Sequence, residues 1–286
     1  MSVTTERAVT ADELIARARD LVPLLRANRA RTEELGNPAP ENLAALSEAE
    51  LFRLTTPPAF GGLHPTMRTQ VEAIAEIGSG CPSTGWIVAN HAASTEFTSI
   101  LDELSVREIF GDNPDAIMLS AGVLPGARAD RVPGGLRITA TAGYASGCEI
   151  SDWALLIGIP LHEGERRIGA VTALAPIAEA SVKRTWKVAG MCGTGTHSMT
   201  VTDLFVPDRM TLVVEKENLD RQEEILSPPT WSRATCTRCR RSSARVRASW
   251  TWCGRAWTRA SRSPTPTTAA PWTPPRSSSG SPRRRT

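Results

Sequence analysis

Apolar positions change their period once along this chain. Over residues 10 to about 110 they recur at helical spacing, and from Ala116 they alternate in short runs. Thr10 and Glu13 stand in capping-box order ahead of Leu14, Leu21, Leu24 and Leu25, which predicts a helix from about residue 10 with a kink or late start at Pro23. Pro40-Glu41-Asn42-Leu43 opens a second, short helix with Leu43, Leu46 and Leu51 on one side, stopped by Thr55-Thr56-Pro57-Pro58. Val71, Ile74, Ala75 and Ile77 mark a third helix ending at Gly78-Ser79-Gly80. A long apolar segment from Trp86 to Leu101 reads as a buried helix, and Leu104 to Phe110 as a last short one.

The β-prone runs are Ile117-Met118-Leu119, Leu136 to Thr139, Trp153 to Ile157, Ala170 to Leu174 and Thr200 to Val206. Turns such as Pro133-Gly134-Gly135 and Glu163-Gly164 divide them. The expected fold class is therefore α+β, an N-terminal helical domain over residues 1–112 followed by a small antiparallel β barrel or sandwich over residues 113–227. No internal repeat interrupts this order.

Composition separates off a third part. From Pro228 onward there are thirteen arginines, five of the eight tryptophans and no Asp, Glu, Lys or His, so the formal charge of +3 averages two unlike segments. Residues 1–227 carry 20 basic against 30 acidic groups, the balance of an ordinary acidic protein. Residues 228–286 are read as a disordered, basic, low-complexity tail translated out of frame, a reading-frame slip in a GC-rich gene; a native basic arm that binds nucleic acid is the competing reading. Cys236 and Cys239 have a metal-ligand spacing but no second ligand pair beside them. Cys81, Cys148 and Cys192 are too scattered for a disulfide framework and suit a reducing cytoplasm. The chain has neither a signal-peptide layout nor an apolar run near the ~20 residues of a membrane span, so it is expected to be cytoplasmic. Walker loops, a dinucleotide-binding glycine fingerprint after a strand, and a Ser-His-Asp constellation are absent from the sequence.

Four segments carry a likeness: Gly80-Cys81-Pro82-Ser83-Thr84-Gly85-Trp86; Ser146-Gly147-Cys148-Glu149 with Trp153; Trp186 through Gly195; and Asp203-Leu204-Phe205-Val206-Pro207. In that order the chain resembles the group D flavin-dependent monooxygenases of the acyl-CoA dehydrogenase superfamily, the oxygenase components of two-component 4-hydroxyphenylacetate and steroid-ring hydroxylases, over residues 10–227. The resemblance implies an acyl-CoA dehydrogenase-like helical domain and middle β domain, with a C-terminal helical bundle, the tetramer-building part of the family, missing here. It implies reduced FMN or FAD supplied by a separate flavin reductase, and a small aromatic or polyketide-like phenol as substrate. Two alternatives stay open: an acyl-CoA dehydrogenase, whose carboxylate base lies in many members within the absent bundle, and an inactive truncated relative. The Ser-Gly-Cys-Glu turn favours the oxygenase over the dehydrogenases, which carry an Ile-Thr-Asn type there.

A flavin oxygenase must keep the flavin N5 proton from water, so it needs a dry pocket and a hydrogen-bonding group at N5. The resemblance assigns that hydroxyl to Ser146, with Gly147 allowing close backbone approach; a turn serine bonding its own backbone is the bland reading. Ser120 falls in a stretch similar to the flavin-covering loop, Tyr144 where relatives carry Trp or Phe near the isoalloxazine, and Gly193 and Thr194 where backbone amides could approach the flavin phosphate. Ser94 aligns with a substrate-side histidine of the family. His91, one turn earlier, is expected to face the same cavity, against the alternative of a structural helix histidine. Trp86 is either a substrate-side residue or helix core. Glu149 and Asp152 form a candidate carboxylate pair, with solvent-exposed charge as the alternative, and His197 is expected to be exposed.

Overall fold

The computed structural model describes residues 9–215. The arginine-rich tail, the Cys236–Cys239 spacing and the question of a helical bundle all lie outside the described residues.

Helix α1 (Ala11–Asp20) begins at the expected capping box: Thr10 N donates to Glu13 Oε2 at 2.8 Å and Glu13 N donates to Thr10 Oγ1 at 3.3 Å. Pro23 does break the helix. It sits in the first turn of a separate helix α2 (Val22–Ala27), where its missing N–H costs nothing. Helix α3 (Arg29–Leu35) ends at left-handed Gly36, and α4 (Pro40–Glu48) starts on its proline. Glu50, itself left-handed at φ 59°, turns the chain so that Leu51 is buried without belonging to the helix. Helix α5 (Met67–Gly80) is capped by Thr66, α6 (Pro82–Thr95) runs on into a 3-10 turn (Glu96–Ile100), and α7 (Glu103–Phe110) is capped by Asp102. Leu14, Leu25, Leu46, Phe52, Leu54, Ile77 and Val88 bury the shared face of these helices. The α3 segment escaped the sequence reading because Thr32 is its one buried residue, so it has no apolar stripe.

Among the described residues eight strands form one sheet: β1 (Met118–Gly122), β2 (Arg128–Val132), β3 (Gly135–Ala145), β4 (Trp153–Glu163), β5 (Arg166–Pro176), β6 (Ser181–Lys183), β7 (His197–Pro207) and β8 (Thr211–Glu215). The order is β6-β7-β3-β2-β4-β5-β8, with β1 beside β4. The pairings are antiparallel apart from β1–β4 and β2–β4, which are parallel. Strand β3 alternates in the expected way: Leu136, Ile138, Ala140 and Ala142 face the core with Leu156, Ile159, Val171 and Val201. Strands β2, β6 and β8 were not expected. β2 is Arg-Ala-Asp-Arg-Val with only Ala129 buried, and β6 has three residues. The register of β3 against β7 slips between Ala142 and Ala145, and this irregularity re-aims the chain just before Ser146.

Helices and sheet are tied by polar contacts as well as packing. The Arg53 guanidinium grips Asp115 in a fork, Nε to Oδ1 at 2.8 Å and NH2 to Oδ2 at 3.0 Å, and Ser47 Oγ donates to Oδ2 at 2.9 Å. Burial pushes the Asp115 carboxyl up, but the Arg53 and Ser47 donors outweigh it and hold the group below its ordinary range. Among the described residues no helix is long and apolar enough to cross a membrane.

Candidate functional site

Helix α6 lies over the ends of β1 and β3, and its residues reach down at successive turns. Asn90 Oδ1 accepts from Ser120 N at 3.2 Å, and one turn earlier the Trp86 indole N–H donates to Ser146 Oγ at 3.0 Å. Ser146 opens the turn after β3. Its neighbour Gly147, at φ 75°, donates its amide to Thr194 O at 2.8 Å, which joins this turn to the 3-10 turn Cys192–Thr194. The two turns are also joined by hydroxyls. Ser146 Oγ is 2.9 Å from Thr196 Oγ1, Thr196 Oγ1 is 2.7 Å from Thr194 Oγ1, and Thr194 Oγ1 donates to Met191 O at 2.9 Å. Ser146, Thr194 and Thr196 are buried, whereas Trp86 is 50% exposed beside them.

Close approach fixes the second turn. A side chain on Gly193 would collide with Thr32 of α3, and one on Gly195, left-handed at φ 50°, would collide with the Asn37 side chain. Asn37 in turn donates Nδ2 to Glu149 Oε2 at 2.7 Å, while its Oδ1 is buried with no hydrogen-bond partner among the described residues. Arg184 Nε donates to Glu149 Oε1 at 2.7 Å. Burial works against the charge on Glu149, but the Arg184 and Asn37 donors prevail and hold its carboxyl below the ordinary value. His197 Nδ1 accepts from Trp186 N at 3.1 Å, so in the neutral ring the proton is on Nε2, 3.4 Å from Glu149 Oε2. His197 is therefore buried rather than exposed as its position after a glycine turn led us to expect.

Trp86, Ser146, Gly147, Gly193 and Thr194 thus meet at one rim. Trp86 is not the helix-core residue its apolar surroundings implied, since half of it faces out. The other sequence-predicted residues stand apart. His91 is sealed between α6 and the sheet: Nε2 donates to Phe52 O at 2.7 Å, and Nδ1 accepts from Met118 N at 3.0 Å. Burial pushes its pKa down, against the Phe52 and Met118 contacts and the nearby carboxylates, and both ring nitrogens are spent on backbone. Ser94 is buried and donates to Asn90 O at 2.7 Å, within its own helix. Tyr144 is 72% exposed and meets Trp186 edge-on at 6.4 Å. Ser120 lies on β1, whose continuation pairs Val123 with Ala142 of β3, and its amide rather than its hydroxyl is held by α6. Glu149 and Asp152 are not a pair, because Asp152 Oδ2 accepts from Ile117 N at 2.8 Å. Sequence reasoning missed Thr196, Asn37 and Asn90. The one available signal was the pair of hydroxyls flanking Gly195.

Two hollows, about 620 Å³ between α1 and α5 beside Arg19 and Glu76, and about 390 Å³ beside Arg137 and Phe205, lie away from this rim.

No family model matches the chain. Individual proteins do. It is 32% identical over 204 residues to a pigment production hydroxylase of Rhodococcus sp., covering 71% of this chain and 52% of that one. It is 30% identical over 199 residues to the oxygenase component of an FADH(2)-dependent resorcinol hydroxylase of Rhizobium sp., covering 70% and 48%. Among solved structures, XiaF from Streptomyces sp. in complex with FADH2 and glycerol superposes with a TM-score of 0.67 at 30% identity, covering 71% of this chain and 51% of that one. The chain spans about half the length of the curated relatives it matches. By sequence and by fold it belongs to the family of oxygenase components of two-component flavin-dependent monooxygenases, built on the acyl-CoA dehydrogenase-like fold.

Proposed function

We propose that this chain acts as an oxygenase component that takes reduced FMN or FAD from a separate flavin reductase in the cytoplasm and hydroxylates a small aromatic or polyketide-like phenol with dioxygen. The reduced flavin, when bound, supplies the oxygen-activating chemistry. Ser146 is the observation that carries the reading. Its Oγ receives the Trp86 N–H, and with its own proton given to Thr196 the oxygen, which accepts twice, keeps one acceptor position at the rim for a ring N–H such as flavin N5–H. The half-exposed Trp86 gives an aromatic wall next to that position, and the left-handed Gly147, where a side chain would press on Ile87 of α6, lets the turn lie close against that helix. These residues fit one face of an isoalloxazine. Gly193 and Thr194 hold the turn beneath Ser146; Ser120 and Tyr144, which stand apart from the rim, would meet a flavin only beyond this face. Ser94 contributes from within α6 through its bond to the Asn90 carbonyl, and His91 by seating that helix on Phe52 and Met118.

The Ser146-Gly147-Cys148-Glu149 turn, in place of the Ile-Thr-Asn type of the dehydrogenases, favours oxygenation over dehydrogenation. Glu149 and Asp152 are bound to Arg184 and Asn37 and to the Ile117 amide, so neither offers a free base for abstracting a proton next to an acyl carbonyl. The test is to supply the purified full chain with reduced FMN or FAD, oxygen and a panel of small phenols, and to assay product by mass spectrometry with ¹⁸O₂. Incorporation of one labelled oxygen into a phenol is expected. Flavin bleaching by acyl thioesters without oxygen incorporation would overturn the reading.

A further inference from the structure

The hydroxyl contacts behind Ser146 have only one consistent direction. Met191 O is a carbonyl and can only accept, and it receives the Thr194 hydroxyl at 2.9 Å, the Thr194 amide at 3.2 Å and the Trp186 indole N–H at 3.0 Å. Each hydroxyl owns a single proton. If Thr194 gives its proton to Met191 O, the 2.7 Å contact between Thr194 and Thr196 is a hydrogen bond only when Thr196 donates. The 2.9 Å contact between Thr196 and Ser146 then requires Ser146 to donate. All three bonds exist together only with protons pointing from Ser146 to Thr196 to Thr194 to Met191, and the Trp86 N–H feeds the head of that row. Left-handed Met191, at φ 58°, is the backbone feature that turns its carbonyl onto Thr194.

We propose that Thr196 and Thr194 are positioning residues: their hydroxyls commit the Ser146 proton inward, so that Ser146 Oγ meets a ligand at the rim as an acceptor and the site favours a ring that brings an N–H over one that brings a lone pair. This rests on the flavin reading above. Reduced flavin carries a proton on N5 and oxidised flavin does not, so the row of hydroxyls selects the reduced ring. Without Thr196 the Ser146 proton is released, and the same hydroxyl can donate to the oxidised ring instead.

Two measurements on the full chain separate the row from the flavin. In the ¹⁵N-labelled ligand-free protein, with the Trp86 indole resonance assigned by Trp86→Phe, Thr196→Val should move the indole proton upfield, because an oxygen that no longer donates onward is a poorer acceptor. Thr194→Val, which does not touch Ser146, should do the same to a smaller extent. Thr196→Ser should restore the wild-type position, and Thr141→Val, in a separate Thr141–Thr200 hydroxyl pair, should leave it unmoved. An indole resonance indifferent to both valine substitutions overturns the row whatever the ligand. In anaerobic titrations with reduced and with oxidised FMN, the wild type should prefer the reduced form, and Thr196→Val should shrink that preference about tenfold, the worth of one buried hydrogen bond. An unchanged preference beside a shifted indole overturns the selection role. A wild type that binds neither form overturns the flavin reading, and the indole shift then still decides on the row.

Discussion

The Trp86 indole N–H lies 3.0 Å from Ser146 Oγ, although 60 positions of chain separate the two residues. One belongs to a helix and the other to the turn after a strand, so the bond exists only when α6 is seated on the sheet. It therefore couples the packing of the two layers to the geometry of the rim. Replacing Trp86 by Phe keeps an aromatic ring and removes the donor. Urea unfolding should show a loss of about 0.5–1.5 kcal/mol, with unchanged far-ultraviolet dichroism. Equal stability of the two proteins would mean that the bond does not form in solution.

His91 should matter for stability and not for binding at the rim. Its two ring contacts require the neutral imidazole, and its pKa is pushed below the ordinary 6.5 chiefly by burial. A base whose pKa falls on folding binds fewer protons in the native state than in the unfolded one. Its contribution is complete above the unfolded value near 6.5 and is lost as pH falls from there through the native pKa. Asp115 and Glu149, whose carboxyls are held low, lose their contributions only below about pH 4. Unfolding free energy should thus fall between about pH 7 and pH 5 in the wild type. His91→Gln should be less stable by about 2–4 kcal/mol at pH 7, having disturbed two buried backbone partners, and should show a shallower slope in that interval. Identical slopes would exclude His91 as the titrating group.

The glycines around the second turn divide sharply. Gly193→Ala meets Thr32 and Gly195→Ala meets Asn37 from a left-handed backbone, so each should destabilise by about 1–3 kcal/mol. Gly190, in the same loop, has open space where its side chain would stand, and Gly190→Ala should stay within about 0.5 kcal/mol of the wild type. Equilibrium unfolding of the three variants decides it. Three equal effects would mean that the turn is not pressed on α3.

How much could be read from the residues depended on whether burial was periodic. The capping box at Thr10 and the apolar face of α5 follow local rules and appeared where expected, whereas α6 begins at Pro82 and gives way to a 3-10 turn after Thr95, earlier at both ends than the apolar run from Trp86 to Leu101. The α3 and β2 segments did not, because a polar helix with one buried threonine and a strand with two arginines carry no period to detect. At the rim the limit was distance in sequence. Trp86 looked like core because its neighbours are apolar, yet its polar end finds a partner on another layer. His197 looked exposed because a glycine precedes it by two positions, yet Glu149 and the Trp186 amide enclose it. Ser146 itself stood out only through its likeness to the oxygenase family, and the two hydroxyls flanking Gly195 were the one sign of what stands behind it.

The most direct measurement is an anaerobic equilibrium titration of reduced flavin into the full chain and its Ser146→Ala variant, with Thr141→Val as a control away from the rim. The wild type and the control should bind alike, and Ser146→Ala should bind about tenfold more weakly, since the ring N–H loses its acceptor. Equal affinity of all three proteins for reduced flavin would contradict the placement of the ring against Ser146.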